Sequence, residues 1–131
     1  MKSLFFAVAL LALALPAAAQ DTSPAALIAR YEAAAGAKAD AGAGRDLFLA
    51  NHTGGKPDTP SCTTCHGTDP QKAGQARTGK AIEPLAPSAT PGRFTDAAKV
   101  EKWFGRNCGS VLGRACTDAE KANLIAWLSS L

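Results

Sequence analysis

A five-residue motif near the middle of the chain, Cys62-Thr63-Thr64-Cys65-His66, constrains the fold more than any other feature. It has the C-x-x-C-H spacing by which c-type haem is attached to a protein. Two thiols one helical turn apart can bond to the two vinyl groups on one porphyrin edge, and the following imidazole then reaches the iron as its proximal ligand. The motif therefore predicts one haem c, attached through Cys62 and Cys65 and ligated by His66.

Paired cysteines also serve in other kinds of site. A thioredoxin-like redox pair requires a βαβ unit, for which the chain shows no pattern. A zinc site with four thiolates would add Cys108 and Cys116, but seven residues separate these two, where two to four are usual. Zinc would also leave His66 without a role. A Cys108–Cys116 disulfide, closing a short loop and contributing ~2–3 kcal/mol, is the simpler interpretation, and a chance motif or a Cys62–Cys65 hairpin disulfide are the remaining ones.

Residues 1–19 are predicted to be a secretory signal peptide. Lys2 gives a positive start, residues 4–15 form an apolar run, and small residues end at Ala19 in an A-x-A pattern. The apolar run is too short to span a bilayer, and no later stretch is apolar enough. We expect a periplasmic mature protein of residues 20–131, in a compartment where disulfides persist.

The mature chain is predicted to be all-α. Apolar residues recur at helical spacing in four segments, each starting at a residue type that commonly caps helices. The four predicted helices begin at Ser23, Asp40, Thr95-Asp96 and Thr117. The first is expected to end at Gly36 and the second near Asn51. No stretch alternates convincingly with a period of two, so no strand is predicted.

The segment from His52 to Gly92 holds six prolines and shows little periodicity, which predicts a long loop. A loop of this length is unusual in a compact domain unless it encloses something. Aromatic residues make up only 6% of the chain, so its side chains alone would form a thin core. A buried haem would fill that core and give the loop something to enclose.

The last two predicted helices carry three aromatic residues, Trp103, Phe104 and Trp127. Trp103 and Phe104 follow Val100 at helical spacing, and they are expected either to line the haem pocket or to belong to the plain core. The final helix is expected to bury apolar residues beside Trp127: Leu124, Leu128 and Leu131.

The ligand on the second face of the iron decides the class of function. The mature chain has no methionine, since the single one is Met1, so a methionine ligand is excluded. His52 is the only other imidazole, and it lies in a polar loop. Asn107 follows Phe104 at helical spacing, so its amide faces the apolar side of the helix, where it must find a partner. A role for Asn107 as a helix C-cap before Gly109 explains it equally well.

The net charge is +3, with no cluster of Lys and Arg, so a nucleic-acid partner is not indicated. Arg93, near the end of the long loop, is predicted to contact the haem propionates. Lys99, Lys102 and Arg106 form either a solvated helix face or a surface that steers an acidic redox partner.

These residues resemble a known family. Gly44-x-x-x-Phe48 before the C-x-x-C-H motif, together with Trp127, is similar to the class I cytochrome c fold, whose first and last helices cross at such small and aromatic positions. The sequences WFGRNC at 103–108 and LGRACT at 112–117 resemble the SHP (sphaeroides haem protein) family of small, high-spin cytochromes c.

The resemblance implies a function. In that family an asparagine, matching Asn107, ligates the ferric iron and leaves on reduction, and a disulfide matches Cys108–Cys116. Reduced members bind oxygen, nitric oxide and other small ligands such as carbon monoxide, and a dihaem cytochrome c commonly reduces them. We therefore expect a monomeric monohaem cytochrome that accepts electrons and binds diatomic ligands, with no catalytic residue assigned.

Two other functions stay open. One is a plain electron carrier whose sixth ligand never leaves. The other is a small haem enzyme acting on oxygen, nitric oxide or peroxide, although the chain offers no obvious distal histidine and no arginine assigned to cleave an O–O bond.

Overall fold

The computed structural model describes residues 20–131, and the predicted signal peptide lies outside the described residues. Within this range the chain forms five helices and one two-stranded antiparallel sheet. The elements are α1 (Pro24–Ala35), α2 (Ala41–Leu49), α3 (Thr63–His66), β1 (Gly74–Gln75), β2 (Ala81–Ile82), α4 (Ala97–Leu112) and α5 (Asp118–Ser129). None of these helices is long and apolar enough to cross a membrane.

Four of the helices begin at the capping residues that predicted them. The side chains of Ser23, Asp40 and Asp96 each accept a hydrogen bond from the backbone N–H three residues later. Thr117 caps α5 within a complete capping box. α1 ends at Gly36, whose φ of +66° is a left-handed conformation that favours glycine. The predicted helix starts are confirmed.

The crossing of α2 and α5 forms one part of the core. Gly44 is buried there, and a Cβ added to it would overlap the backbone carbonyl of Asn123. Four residues further along α2, Phe48 packs against Trp127 with ring centroids 5.1 Å apart. The predicted crossing through a small and an aromatic position is confirmed, and with it the cytochrome c-like helical fold.

α1 packs on α5 as well, in a second cluster. Leu27 and Tyr31 of α1 are buried together with Ala122 and Ile125 of α5. One detail of the predicted core is wrong: Leu131, expected to be buried, is 36% exposed because α5 ends at Ser129.

The segment predicted as a loop, residues 52–92, is mostly irregular but holds three short elements. One is α3, which carries most of the C-x-x-C-H motif. The other two are β1 and β2, which pair Gly74 with Ile82 and Gln75 with Ala81. The prediction of no strand was therefore wrong, because a strand of two residues is too short to show a period of two.

Candidate cofactor-binding cleft

A cleft of about 700 Å³ brings the predicted site residues together. α3 and its N-cap line one part of it, α4 lines another, and the long loop contributes the rest. The predicted site residues that line the cleft are Cys62, Cys65, His66, Arg93, Trp103, Phe104, Asn107, Cys108 and Cys116. Helices α2 and α5 also contribute lining side chains, all of them apolar: Leu47, Phe48, Leu124 and Leu128.

Hydroxyl groups hold the C-x-x-C-H motif in a helical turn. The buried Ser61 hydroxyl donates to the carbonyl of Phe48 at 3.3 Å and accepts from the backbone N–H of Thr63 at 3.2 Å. Because Phe48 belongs to α2, the hydrogen bond ties the motif to the α2–α5 crossing. The Phe48 ring also lies 6.2 Å from the His66 ring, measured between centroids. Sequence reasoning missed Ser61, whose only signal is its place directly before the motif.

β1 supports the motif from another direction. Gly74 approaches the backbone of Cys65 and His66 so closely that an added Cβ would overlap the Cys65 carbonyl. A side chain at this position would push the motif out of place, so the close approach requires glycine. Nothing in the sequence pattern pointed to this contact.

The motif side chains are available to a cofactor. Burial, together with the positive charge of Arg93, lowers the pKa of His66 to about 4, so the imidazole is neutral at pH 7. A neutral imidazole is the form that binds a metal. Cys62 and Cys65 are free thiols, not joined to each other, and burial raises the pKa of Cys62 to about 11. The hairpin disulfide is therefore wrong.

Asn107 lies inside α4, which continues to Leu112 and is capped by Gly113. The alternative in which Asn107 is the helix C-cap is therefore wrong. Its side chain lines the cleft and is exposed to it, rather than packed in the protein core.

The two aromatic residues of α4 differ in their surroundings. Phe104 is half-buried and meets Tyr31 of α1 edge-on, with ring centroids 6.3 Å apart. Trp103 lines the cleft but is 43% exposed, so its interpretation as plain core is wrong.

A disulfide joins Cys108 to Cys116, whose Cα atoms are 5.6 Å apart. Both residues are buried, and the bond ties the turn of α4 that carries Asn107 to the residue before the cap of α5. Sulfurs bonded in this way cannot be thiolate ligands of zinc. Among residues 20–131, no three His, Cys, Asp or Glu side chains are grouped closely enough to hold a metal ion. The four-thiolate zinc alternative is therefore wrong.

His52 lies apart from the cleft. Its Nε2 is 2.9 Å from the carbonyl oxygen of Leu47, and its backbone N–H donates to Pro60. His52 is absent from the residues that line the cleft. The structure therefore places Asn107, and not His52, in the same cleft as His66.

Arg93 is held at the cleft by the loop. Its Nε donates to the carbonyl of Pro84 at 2.8 Å, and its Nη2 donates to the carbonyl of Glu83 at 2.6 Å. Partial burial lowers the pKa of the guanidinium, which remains charged at pH 7. Arg93 thus places a fixed positive charge at the cleft.

Phe94, next to Arg93, lines the cleft with an unusual backbone. Its φ of +61° is the only positive value at a non-glycine residue in the described part of the chain. Such strain persists only where packing over-determines it, and Phe94 packs against both core clusters. No sequence pattern predicted this conformation.

The residues present fit a covalently attached haem. Two free thiols lie one helical turn apart, a neutral imidazole follows them, and the cleft continues through apolar side chains to an amide on α4. Its volume of about 700 Å³ is within the usual range for small-molecule and cofactor sites.

The chain is similar to several known proteins. The family described as "domain of unknown function (DUF1924)" matches residues 34–128. Cytochrome c-type protein SHP of Cereibacter sphaeroides is 73% identical over 118 residues, which are 90% of this chain and 92% of that protein. Cytochrome c'' of Methylophilus methylotrophus is 46% identical over 69 residues, which are 52% of this chain and 48% of that protein.

Solved structures extend the comparison. Oxidized SHP, described as an oxygen-binding cytochrome c, superposes with a TM-score of 0.83 at 73% identity, covering 85% of this chain and 99% of that one. Oxidized cytochrome c'' from M. methylotrophus gives a TM-score of 0.70 at 33% identity, and the superposition covers 82% of this chain and 93% of that one. These homologues imply covalently bound haem c. The chain therefore belongs to the family of SHP, a family of c-type cytochromes.

Proposed function

We propose that this protein is a periplasmic, monomeric, monohaem cytochrome c that accepts electrons and binds small diatomic ligands when a weak asparagine ligand leaves on reduction. The ligands are oxygen, nitric oxide and carbon monoxide. A single haem c would supply a redox-active iron able to bind protein side chains and small ligands. The observation that carries the proposal is the presence of Asn107 in the same cleft as His66, with His52 elsewhere.

The motif residues would hold the cofactor. Cys62 and Cys65 would form the two thioether bonds, and His66 would bind the iron through its neutral imidazole. The hydrogen bonds of Ser61 and the close approach of Gly74 keep these side chains in position. Arg93, fixed by two backbone carbonyls, would pair with a propionate.

Asn107 would be the exchangeable ligand. Its amide oxygen is neutral, so it is attracted to a cation less strongly than a charged ligand would be. Uptake of one electron would lower the positive charge near the amide, so the attraction would weaken further. The amide N–H of Asn107 would still lie in the cleft and could donate a hydrogen bond to a polar ligand, worth about 1–1.5 kcal/mol.

The relatives support this proposal in their own descriptions. SHP is described as oxygen-binding, and a solution structure of cytochrome c'' is described as giving insight into haem-ligand detachment. Both statements concern those proteins. The electron donor, which we propose to be a dihaem cytochrome c, follows from the same resemblance.

Absorption spectroscopy of the purified holoprotein tests the proposal. We expect Asn107→Ala to change the ferric spectrum, and the matched variant Asn51→Ala, at an exposed residue outside the cleft, to leave it unchanged. We expect the dithionite-reduced wild-type protein to bind carbon monoxide. An unchanged ferric spectrum in Asn107→Ala overturns the ligand assignment. A reduced protein that does not bind carbon monoxide is a plain electron carrier.

A further inference from the structure

The basic side chains of residues 20–131 fall into two groups. Those in ion pairs are spread over the molecule: Arg30, Lys38, Arg45, Lys72, Arg77, Arg114 and Lys121. Those without an acidic partner within this range are concentrated at the cleft and on α4, with Lys56 as the exception: Lys80, Arg93, Lys99, Lys102 and Arg106. Positive charge is therefore left uncompensated mainly on one side of the molecule.

Three of these cations form one surface with an exposed tryptophan. Lys99, Lys102, Trp103 and Arg106 follow each other at i, i+3, i+4 and i+7 on α4, so they share one strip of the helix. We call this strip the Trp103 face. The Lys102 Nζ lies 5.6 Å and the Arg106 Cζ 5.1 Å from the centroid of the Trp103 ring, so both cations stack on the indole.

The cofactor site accounts for only part of this surface. Lys80, Arg93 and Lys99 line the cleft and are available to the carboxylates of a bound haem, whereas Lys102 and Arg106 do not line it. Glu101, the one acidic residue within α4, is already paired with Arg30 and Lys121. A solvated helix face would leave these cations separate, whereas Lys102 and Arg106 both lie over the ring of Trp103, at the border of the cleft.

We propose that the Trp103 face is the docking surface for an acidic electron-donor protein, an inference that rests on the proposed function. Carboxylates of the partner would pair with Lys102 and Arg106, and the indole would provide the central apolar contact. Trp and Arg are the residue types that most often dominate protein interfaces. Because Trp103 also lines the cleft, a partner bound here lies next to the cofactor. One electron passes from the reduced partner to the ferric iron; no bond forms and no proton moves.

The rate of reduction of the holoprotein tests the docking surface. The probe is a reduced flavodoxin, chosen as an acidic one-electron donor and followed by stopped flow at several ionic strengths. We expect the wild-type rate to fall with added salt, and Lys102→Glu/Arg106→Glu to lower the low-salt rate by roughly tenfold or more. Lys38→Glu/Lys72→Glu makes the same change in net charge at exposed residues outside the cleft and should lower the rate about threefold at most.

The outcomes distinguish a specific effect of the Trp103 face on the reduction rate from a general effect of net charge. They also test the docking surface independently of the proposed function. Equal effects of the two double variants, or a wild-type rate independent of salt, overturn the proposal. Reduction by dithionite reports whether each variant still holds a reducible haem. Trp103→Phe, which keeps an aromatic ring, should slow the flavodoxin reaction less than Trp103→Ala does. Carbon monoxide binding tests the proposed function by itself, so the two can fail independently.

Discussion

The part of the molecule built from α1, α2 and α5 differs from the part built from α3 and α4 in what fills it. In the first, side chains complete the core, with Leu27, Phe48 and Ile125 almost wholly buried. In the second, a cleft of about 700 Å³ lies between the elements. The part built from α1, α2 and α5 is thus filled by its own side chains, whereas the part built from α3 and α4 leaves room for a cofactor.

Several contacts join the two parts, among them one hydrogen bond and one aromatic pair. The Ser61 hydroxyl links the motif to α2 through the carbonyl of Phe48. Phe104 links α4 to α1 through its edge-on contact with Tyr31. The side-chain core therefore acts as the fixed frame against which the walls of the cleft are placed.

The largest expected effect is the loss of bound haem from a variant that keeps the side-chain core of α1, α2 and α5 intact. Cys62→Ser/Cys65→Ser should retain no haem through acid–acetone extraction, because no thioether bond can form. Thr64→Ala, a change at an exposed residue inside the motif, should retain it. Absorbance of the extracted protein gives the result. Haem that stays with the double serine variant contradicts the attachment assignment.

A pair of glycine variants compares the two parts directly. Gly44→Ala places a methyl group against the backbone of Asn123 and should lower the free energy of unfolding by ~3 kcal/mol. Gly105→Ala, in α4, meets nothing within 4 Å and should raise it by ~0.5–1 kcal/mol. Urea denaturation of both holoproteins measures the difference. Equal effects would mean that α2 and α5 do not cross at Gly44.

The disulfide should contribute less to the free energy of unfolding than the close packing of α2 on α5 at Gly44 does. Replacing Cys108 and Cys116 by serine frees a short loop, so we expect a loss of about 2–3 kcal/mol in the free energy of unfolding. Reduction of the wild-type disulfide should produce a similar loss. A double variant as stable as the wild type would show that the bond adds no stability to the cleft wall.

The smallest expected effect depends on pH. Burial, with a hydrogen bond donated to Glu101, raises the pKa of Tyr31 from 10 to about 12. Between these values the folded state keeps a proton that the unfolded state has lost, so the stabilising effect is present below pH 10 and is lost as the pH rises towards 12. Tyr31→Phe should lower stability by about 1 kcal/mol at neutral pH, because the hydrogen bond is gone.

The measurement is thermal unfolding of both proteins at several pH values. The difference between wild type and Tyr31→Phe should shrink between pH 10 and 12. A difference that stays constant over this window contradicts the raised pKa.

The sequence predicted the helix starts, because a helix cap depends only on residues close by in the chain. The caps at Ser23, Asp40 and Thr117 satisfy backbone groups within three residues, so the chain nearby determines them. The crossing at Gly44 and Phe48 was implied by the resemblance to the class I cytochrome c fold, whose helices cross at such small and aromatic positions.

The features that the sequence did not predict depend on contacts between residues distant in the chain. Gly74 is required by the backbone of Cys65, and the left-handed Phe94 by its packing against two clusters. Neither condition leaves a pattern in neighbouring residues. Leu131 was misplaced because the helical periodicity continues past Ser129, where α5 stops.

The order of the cleft walls along the chain has a consequence for assembly. The segments that cover the C-x-x-C-H motif, α4 and α5, come after it in the sequence. During synthesis from the N-terminus, Cys62 and Cys65 therefore emerge as open, solvated thiols before their covering helices exist. Until α5 has packed on α2, both sulfurs would therefore be more accessible for the attachment of a cofactor than they are in the folded chain.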